Sequence, residues 1–160
     1  MTLLRVLSRH EVDYIVIGGV SAVLQGAPVS TFDLDIIHSR SPENVERLLA
    51  ALEELGAYYR EHETRRPVPE ARHLQGGGHH LLMTRSGPLD LLGVVSGGRA
   101  YEDLEGNAVT MEIEPDLRVR VLNLAMLIVL KEEMGREKDL AVLPVLRRAL
   151  LESEGRGGDH

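Results

Sequence analysis

Two aspartates separated by a single leucine, Asp33-Leu34-Asp35, sit in Thr31-Phe-Asp-Leu-Asp-Ile-Ile37, where polar and apolar residues alternate until the segment's end. That period is the period of a strand, and a two-residue spacing sets both carboxylates on one of its faces. Like charges held this way repel, and each would be costly to bury unpaired. The segment therefore asks for a sheet that shows the two acids to a cation. Mg²⁺, a hard ion that takes oxygen ligands, is the natural one.

A second strand carries a charge where none is expected. Pro88-Leu-Asp-Leu-Leu92 is otherwise apolar and reads as a strand buried on both faces, with Asp90 at its centre. Backbone N–H groups could satisfy Asp90 within a core. Alternatively it is a third carboxylate ligand, the arrangement that holds two metal ions about 3.5–4 Å apart for in-line displacement at phosphorus. Upstream, the apolar run Tyr14-Ile-Val-Ile17 ends at Gly18-Gly19, and a short helix from Val20 to Gln25 follows, closed by Gly26 and Pro28. Glycines at a strand-to-helix turn let the backbone approach a phosphate. The N–H groups of the helix start favour an anion there, and the Ser21 hydroxyl is placed to donate as well.

The other segments supply a frame. Leu3, Leu4 and Leu7 recur at helical spacing up to about His10. Ser41-Pro42 offers an N-cap and an N1 proline to an amphipathic helix through Leu48, Leu49, Leu52 and Leu55, stopped by Gly56. From Tyr58 to Gly78 the pattern weakens, and Arg60, Arg65, Arg66 and Arg72 among prolines predict an exposed, mildly basic loop. Two hairpins are expected, His80–Met83 with Leu89–Leu92 and Val109–Ile113 with Leu117–Val121. Asn123 caps an apolar helix to about Met134, and Gly135 ends it. A final helical region runs from Glu137 to about Ser153 and should be kinked or split by Pro144. The expectation is one domain over residues 1–153 with a flexible tail over 154–160. Its class is α/β (α+β), a mixed sheet of about four to five strands with helices packed on it and helices at the C-terminal end.

Taken together, Ile17-Gly-Gly19, thirteen intervening residues, Asp33-Leu-Asp35 and then Leu89-Asp-Leu91 resemble the signature of the polymerase-β nucleotidyltransferase superfamily. The resemblance implies that fold, Asp33, Asp35 and Asp90 as metal-holding catalytic residues, two Mg²⁺ ions, and a nucleoside triphosphate over Gly18, Gly19 and Ser21. The later run Leu124–Lys131, Gly135-Arg136 and Lys138-Asp139-Leu140 is similar to the tail of the nucleotidyltransferases allied to the AbiE abortive-infection toxins and their bacterial relatives. That likeness implies contacts from Lys131 and Lys138 to nucleotide phosphates, with Asp139 orienting a lysine or the acceptor. The plain alternative for these residues is a solvated helix end, its bases helped by the helix dipole. One departure stands out: relatives often carry an arginine in the loop before the paired aspartates, where this chain has Pro28-Val-Ser-Thr31.

Composition narrows the partners. The chain has 160 residues, 18 basic against 25 acidic, and a formal charge of −7, which argues against a sequence-independent grip on nucleic-acid phosphates. One Phe and four Tyr leave it without stacking platforms for single strands. With no cysteine, carboxylates and histidines are the remaining strong metal ligands. His79 and His80 are adjacent in a strand and so point to opposite faces, which speaks against a zinc cluster with His62 and His73. His38, just past the acids, is either near the site or on the surface. No apolar stretch is long enough for a membrane span and the N-terminus lacks a signal peptide's pattern, so no membrane partner and a cytoplasmic location are expected. The predicted reaction moves a nucleoside monophosphate from a triphosphate to a hydroxyl of RNA, protein or a small molecule. The alternative is a silent nucleotidyltransferase-fold binding module of a toxin–antitoxin pair, bound to its cognate protein, and the three acids argue against it.

Overall fold

The computed structural model describes residues 2–29, 33–62 and 64–157. The expected strand start at Thr31-Phe32 and the last three tail residues lie outside the described residues. The elements in chain order are α1 (Thr2–Arg9), β1 (Tyr14–Ile17), α2 (Gly18–Leu24), β2 (Leu34–His38), α3 (Pro42–Glu54), β3 (Tyr58–Tyr59), α4 (Ala71–Leu74), β4 (His79–Thr84) and β5 (Gly87–Leu92). They continue with β6 (Val94–Val95), β7 (Arg99–Ala100), α5 (Tyr101–Leu104), β8 (Ala108–Glu114), β9 (Leu117–Leu122), α6 (Leu124–Met134) and α7 (Glu137–Gly157).

Seven strands form one mixed sheet in the order β3-β4-β5-β2-β1-β9-β8, more than the four to five expected, and β6 and β7 make a separate two-stranded ribbon. The β2–β5 and β1–β9 pairs are parallel and the rest of the main sheet is antiparallel. Both expected hairpins are present.

Strand alternation divides the core in two. Tyr14, Val16, Leu34, Ile36, Leu89, Leu91, Val119 and Val121 point to the face covered by Leu4 and Leu7 of α1, Val45, Leu48 and Leu52 of α3, and Leu74 of α4. Ile15, Ile17, Ile37 and Leu122 point to the opposite face, under Ala22 of α2, Leu104 of α5, Leu127 and Leu130 of α6, and Leu143 and Leu146 of α7. Asp35 and Asp90 belong by alternation to this second face.

The helix ends follow their residues. Ser41 accepts a hydrogen bond from the Asn44 backbone at the start of α3, and Asn123 accepts one from Met126 at the start of α6. Gly135 closes α6 in the left-handed conformation, φ 62°. Pro144 does not divide the C-terminal region: α7 is one helix through it and continues past Ser153 to Gly157. Leu140, whose carbonyl lacks an N–H partner four residues on, sits on an exposed turn where water can replace it. No helix among the described residues is long and apolar enough to cross a membrane.

His38 corrects an expectation. It is neither beside the acids nor on the surface but fully buried on the reverse face, its Nε2 paired with the Leu74 carbonyl at 2.9 Å. His80 is buried nearby with Nδ1 2.9 Å from the Tyr59 hydroxyl. Burial is the main reason both imidazoles titrate below their ordinary value, since it penalises the charged form. The unfolded chain, with histidines near pKa 6.5, therefore binds more protons below that pH than the folded chain does. The contribution of the two histidines to stability is complete above about pH 6.5 and is lost as pH falls through the window down to the depressed values, by at most about 1.4 kcal/mol per pH unit for each histidine. Asp35 opposes this trend over the same window, so the check is a difference: on going from pH 7.5 to 5.5 the urea midpoint should change less favourably in the wild type than in His38→Gln. Equal slopes in both proteins would remove His38 from the account.

Candidate active site

Parallel pairing of β2 with β5 sets Asp35 opposite Asp90, and antiparallel pairing of β1 with β2 sets Ile17 opposite Asp35. The two acids are thus neighbours on one face, with the Gly18 turn beside them. Gly18 has φ 68° and lies so near the acid that a Cβ there would stand 2.3 Å from Asp35 Oδ2. The glycine is needed for the left-handed backbone and for the approach. Gly18→Ala is expected to lower stability by about 1–3 kcal/mol and to displace the Asp35 carboxylate. Thermal melting and Mn²⁺ titration check both effects, and a variant with wild-type melting and metal affinity would refute the close approach.

The acids differ in surroundings. Asp35 is partly buried and its pKa is raised to about 7, first by burial, then by hydrogen bonding and charge repulsion from Asp90, with Asp33 adding and Lys131 opposing. Asp90 is paired with Arg60, whose Nη1 donates to Oδ1 at 2.6 Å and also to the Leu82 carbonyl at 3.0 Å. Arg60 Nη2 is 3.8 Å from Asp33 Oδ2. Asp33 precedes β2 and its side chain is more exposed than that of Asp90. Among the described residues no three His, Asp or Glu side chains stand close enough together to form a ready-made metal cage.

A cleft of about 650 Å³ opens over this face. Gly18, Gly19, Asp35 and Asp90 line it from the sheet side, and Lys131, Arg136 and Lys138 line it from the α6–α7 corner. The corner is organised by Asp139. Its fully buried carboxylate accepts from Arg136 Nε at 2.6 Å and from Lys131 Nζ at 3.2 Å. These cations, Arg136 first and then Lys131, hold its pKa down to about 2. Asp139 does not line the cleft; it orients two residues that do.

Ser21 requires a correction. Its side chain is fully buried and the hydroxyl donates to the Leu122 carbonyl at 2.7 Å, so it ties α2 to β9 and does not reach into the cleft. Two residues absent from the sequence expectation join the site instead, Arg136 in the cleft lining and Arg60 against Asp90. Arg136 lies between the predicted Lys131 and Lys138, and its place in that basic run was the available signal. Arg60 left no comparable trace, because it follows a two-residue strand in a segment without periodicity. A second hollow, of about 740 Å³, lies between α3 and the β3–β4 edge, remote from the paired acids, with Glu53 as its one lining acid.

Comparison with known proteins gives concordant results. The sequence profile of a family described as aminoglycoside-2''-adenylyltransferase matches residues 1–122, the span that holds the glycine turn and all three aspartates. The match ends before Lys131 and lends no support to the expected likeness to the abortive-infection proteins, an expectation drawn from the C-terminal motif. A Thermotoga maritima protein described as a candidate nucleotidyltransferase, solved as a crystal structure, superposes with a TM-score of 0.57 at 18% identity, over 94% of this chain and 89% of that one. At that identity the likeness is one of fold. No curated protein gives a significant sequence match.

Proposed function

The chain belongs to the aminoglycoside-2''-adenylyltransferase family and is a nucleotidyltransferase, and from that premise we propose that it moves a nucleoside monophosphate from a Mg²⁺-bound nucleoside triphosphate to an acceptor hydroxyl. The observation that carries this reading is the facing pair Asp35 and Asp90 on the floor of a cleft whose far corner bears Lys131, Arg136 and Lys138. Carboxylates beneath and cations opposite match a triphosphate with its counter-ions.

The donor set suits a divalent ion. The pKa of Asp35 is raised to about 7 by its burial and then by the facing Asp90 carboxylate, a repulsion that a bound cation would relieve, and its neighbours offer hard carboxylate oxygens. Asp35, Asp90 and the nearby Asp33 would hold the metal, which when bound neutralises the phosphates and lowers the pKa of a coordinated hydroxyl. The remaining work falls to the chain's own groups. The Gly18-Gly19 backbone lies along the phosphate tail, and Lys131 and Lys138 neutralise the departing pyrophosphate. The acceptor oxygen attacks the α-phosphorus in line as the bond to the β-phosphate oxygen breaks, and Asp90 takes the hydroxyl proton.

The family's name points to an aminoglycoside hydroxyl as one acceptor. A polycationic sugar would meet Asp35 and Asp90 as the cleft's lining acids, against three lining cations. That balance favours a neutral or anionic acceptor: a small molecule, an RNA end or a protein side chain. The facing acids favour an active enzyme over a silent binding module. With each of the four α-labelled triphosphates, Mg²⁺ and acceptor pools of RNA, protein and small molecules, label should move to one pool as pyrophosphate appears. No transfer with any combination would sink the reading.

A further inference from the structure

Arg60 occupies a place for which the sequence offers no explanation. It follows β3 at the sheet's edge, yet its guanidinium reaches across β4 to Asp90 on β5. The Leu82 carbonyl of β4 holds the same Nη1, and Nη2 lies 3.8 Å from Asp33. The side chain is about three-quarters covered. Asp90 therefore spends an oxygen lone pair on a cation from its own chain, in the same acid cluster that the proposed function assigns to a metal. A guanidinium carries one charge and takes directional hydrogen bonds, whereas a divalent ion carries two and needs the oxygens themselves. An Asp90 oxygen has two lone pairs, but a guanidinium and a divalent ion on the same oxygen repel each other, so the arrival of the metal weakens the hold of the arginine.

We propose that Arg60 is a positioning residue that stands in for the metal between Asp90 and Asp33 in the metal-free protein and releases Asp90 Oδ1 as metal and nucleotide bind. This rests on the metal-site reading above. Until metal arrives, the arginine offsets the charges of Asp90 and Asp33, the two acids it reaches. Metal loading must then displace an ion pair, which weakens metal affinity and leaves the bare ion a poor ligand. The metal bound to a triphosphate competes better, because the phosphates meet Lys131, Arg136 and Lys138 as well.

The test is metal affinity, read by Mn²⁺ binding in electron paramagnetic resonance, with melting temperature measured beside it. Arg60→Gln should bind Mn²⁺ roughly tenfold more tightly than wild type, the scale of one partly screened charged hydrogen bond, and should melt lower without metal and recover when Mn²⁺ is added. Arg60→Lys keeps the charge and should stay near wild-type affinity. If Arg60→Gln is misfolded, the wild type still decides. The Arg60 Nη–H resonances, whose protons are held by Asp90 and the Leu82 carbonyl, should shift and lose protection from solvent exchange as Mg²⁺ is added. Unchanged or weaker Mn²⁺ binding by a folded Arg60→Gln, or an Arg60 resonance indifferent to Mg²⁺, would overturn the proposal and leave the metal site standing. Absence of Mn²⁺ binding in both proteins would overturn the metal-site reading and this proposal with it.

Discussion

Asp35→Asn is expected to reduce nucleotidyl transfer about a thousandfold, equivalent to about 4 kcal/mol of transition-state stabilisation, while the melting temperature holds or rises. Activity falls because the amide has lost the charge that faces Asp90 across the β2–β5 pair. Stability holds because that charge is a liability in the metal-free fold. Asp35 titrates at about 7, above the roughly 3.9 of a free aspartate, so the folded chain binds the extra proton between those values. Stability is fully present below the lower value and declines as pH rises through the higher. Asparagine escapes the decline. The variant's melting advantage should therefore appear at pH 8 and vanish near pH 4, and Mg²⁺ should raise the melting temperature of the wild type more than that of the variant. A variant that unfolds would make Asp35 a structural residue, and one that transfers label as well as wild type would remove it from the catalytic machinery.

The acids were legible in the sequence because a charge in an apolar strand violates a local rule, and such violations gather at sites. β1, β2, β5 and β9 were legible for the complementary reason, since their apolar runs had the length and spacing of strands. What was not legible depends on contacts distant in the chain. β3, with two residues, has no period to detect. Arg60 and Asp90 are brought together only by the order of β3, β4 and β5 in the sheet. Asp90 was expected between two apolar layers, yet β5 buries Leu89 and Leu91 on one face and opens Asp90 and Leu92 to the cleft on the other. Ser21 had the right residue type for a phosphate-binding turn, but the helix already begins at Gly18 and the Ser21 hydroxyl is given to the Leu122 carbonyl. The buried position of His38 could not be foreseen, because the Leu74 carbonyl that receives it comes from α4, in a segment that read as loop.

Asp139→Asn should raise the KM for the triphosphate by about tenfold with little change in kcat, because it acts on the phosphate corner and leaves the acids intact. The buried carboxylate holds Lys131 and Arg136 together at the start of α7. An amide keeps the shape but presents an N–H group toward two cations. Arg136 is half-exposed and can turn to water, whereas Lys131 is mostly covered and would lose its orientation over the cleft. Stability should fall by about 1–3 kcal/mol, the cost of removing a charged hydrogen-bond acceptor. Lys131→Met should give the same rise in KM with a smaller loss of stability, since Asp139 retains Arg136. The contribution of Asp139 to stability is present above about pH 4 and is lost only as pH falls through about 2, so near pH 2 the wild type and Asp139→Asn should converge in stability. Melting that falls while KM stays constant in both variants would reduce Asp139 to a joint between α6 and α7. A fall in kcat at unchanged KM would move Lys131 from binding the triphosphate to the chemical step itself.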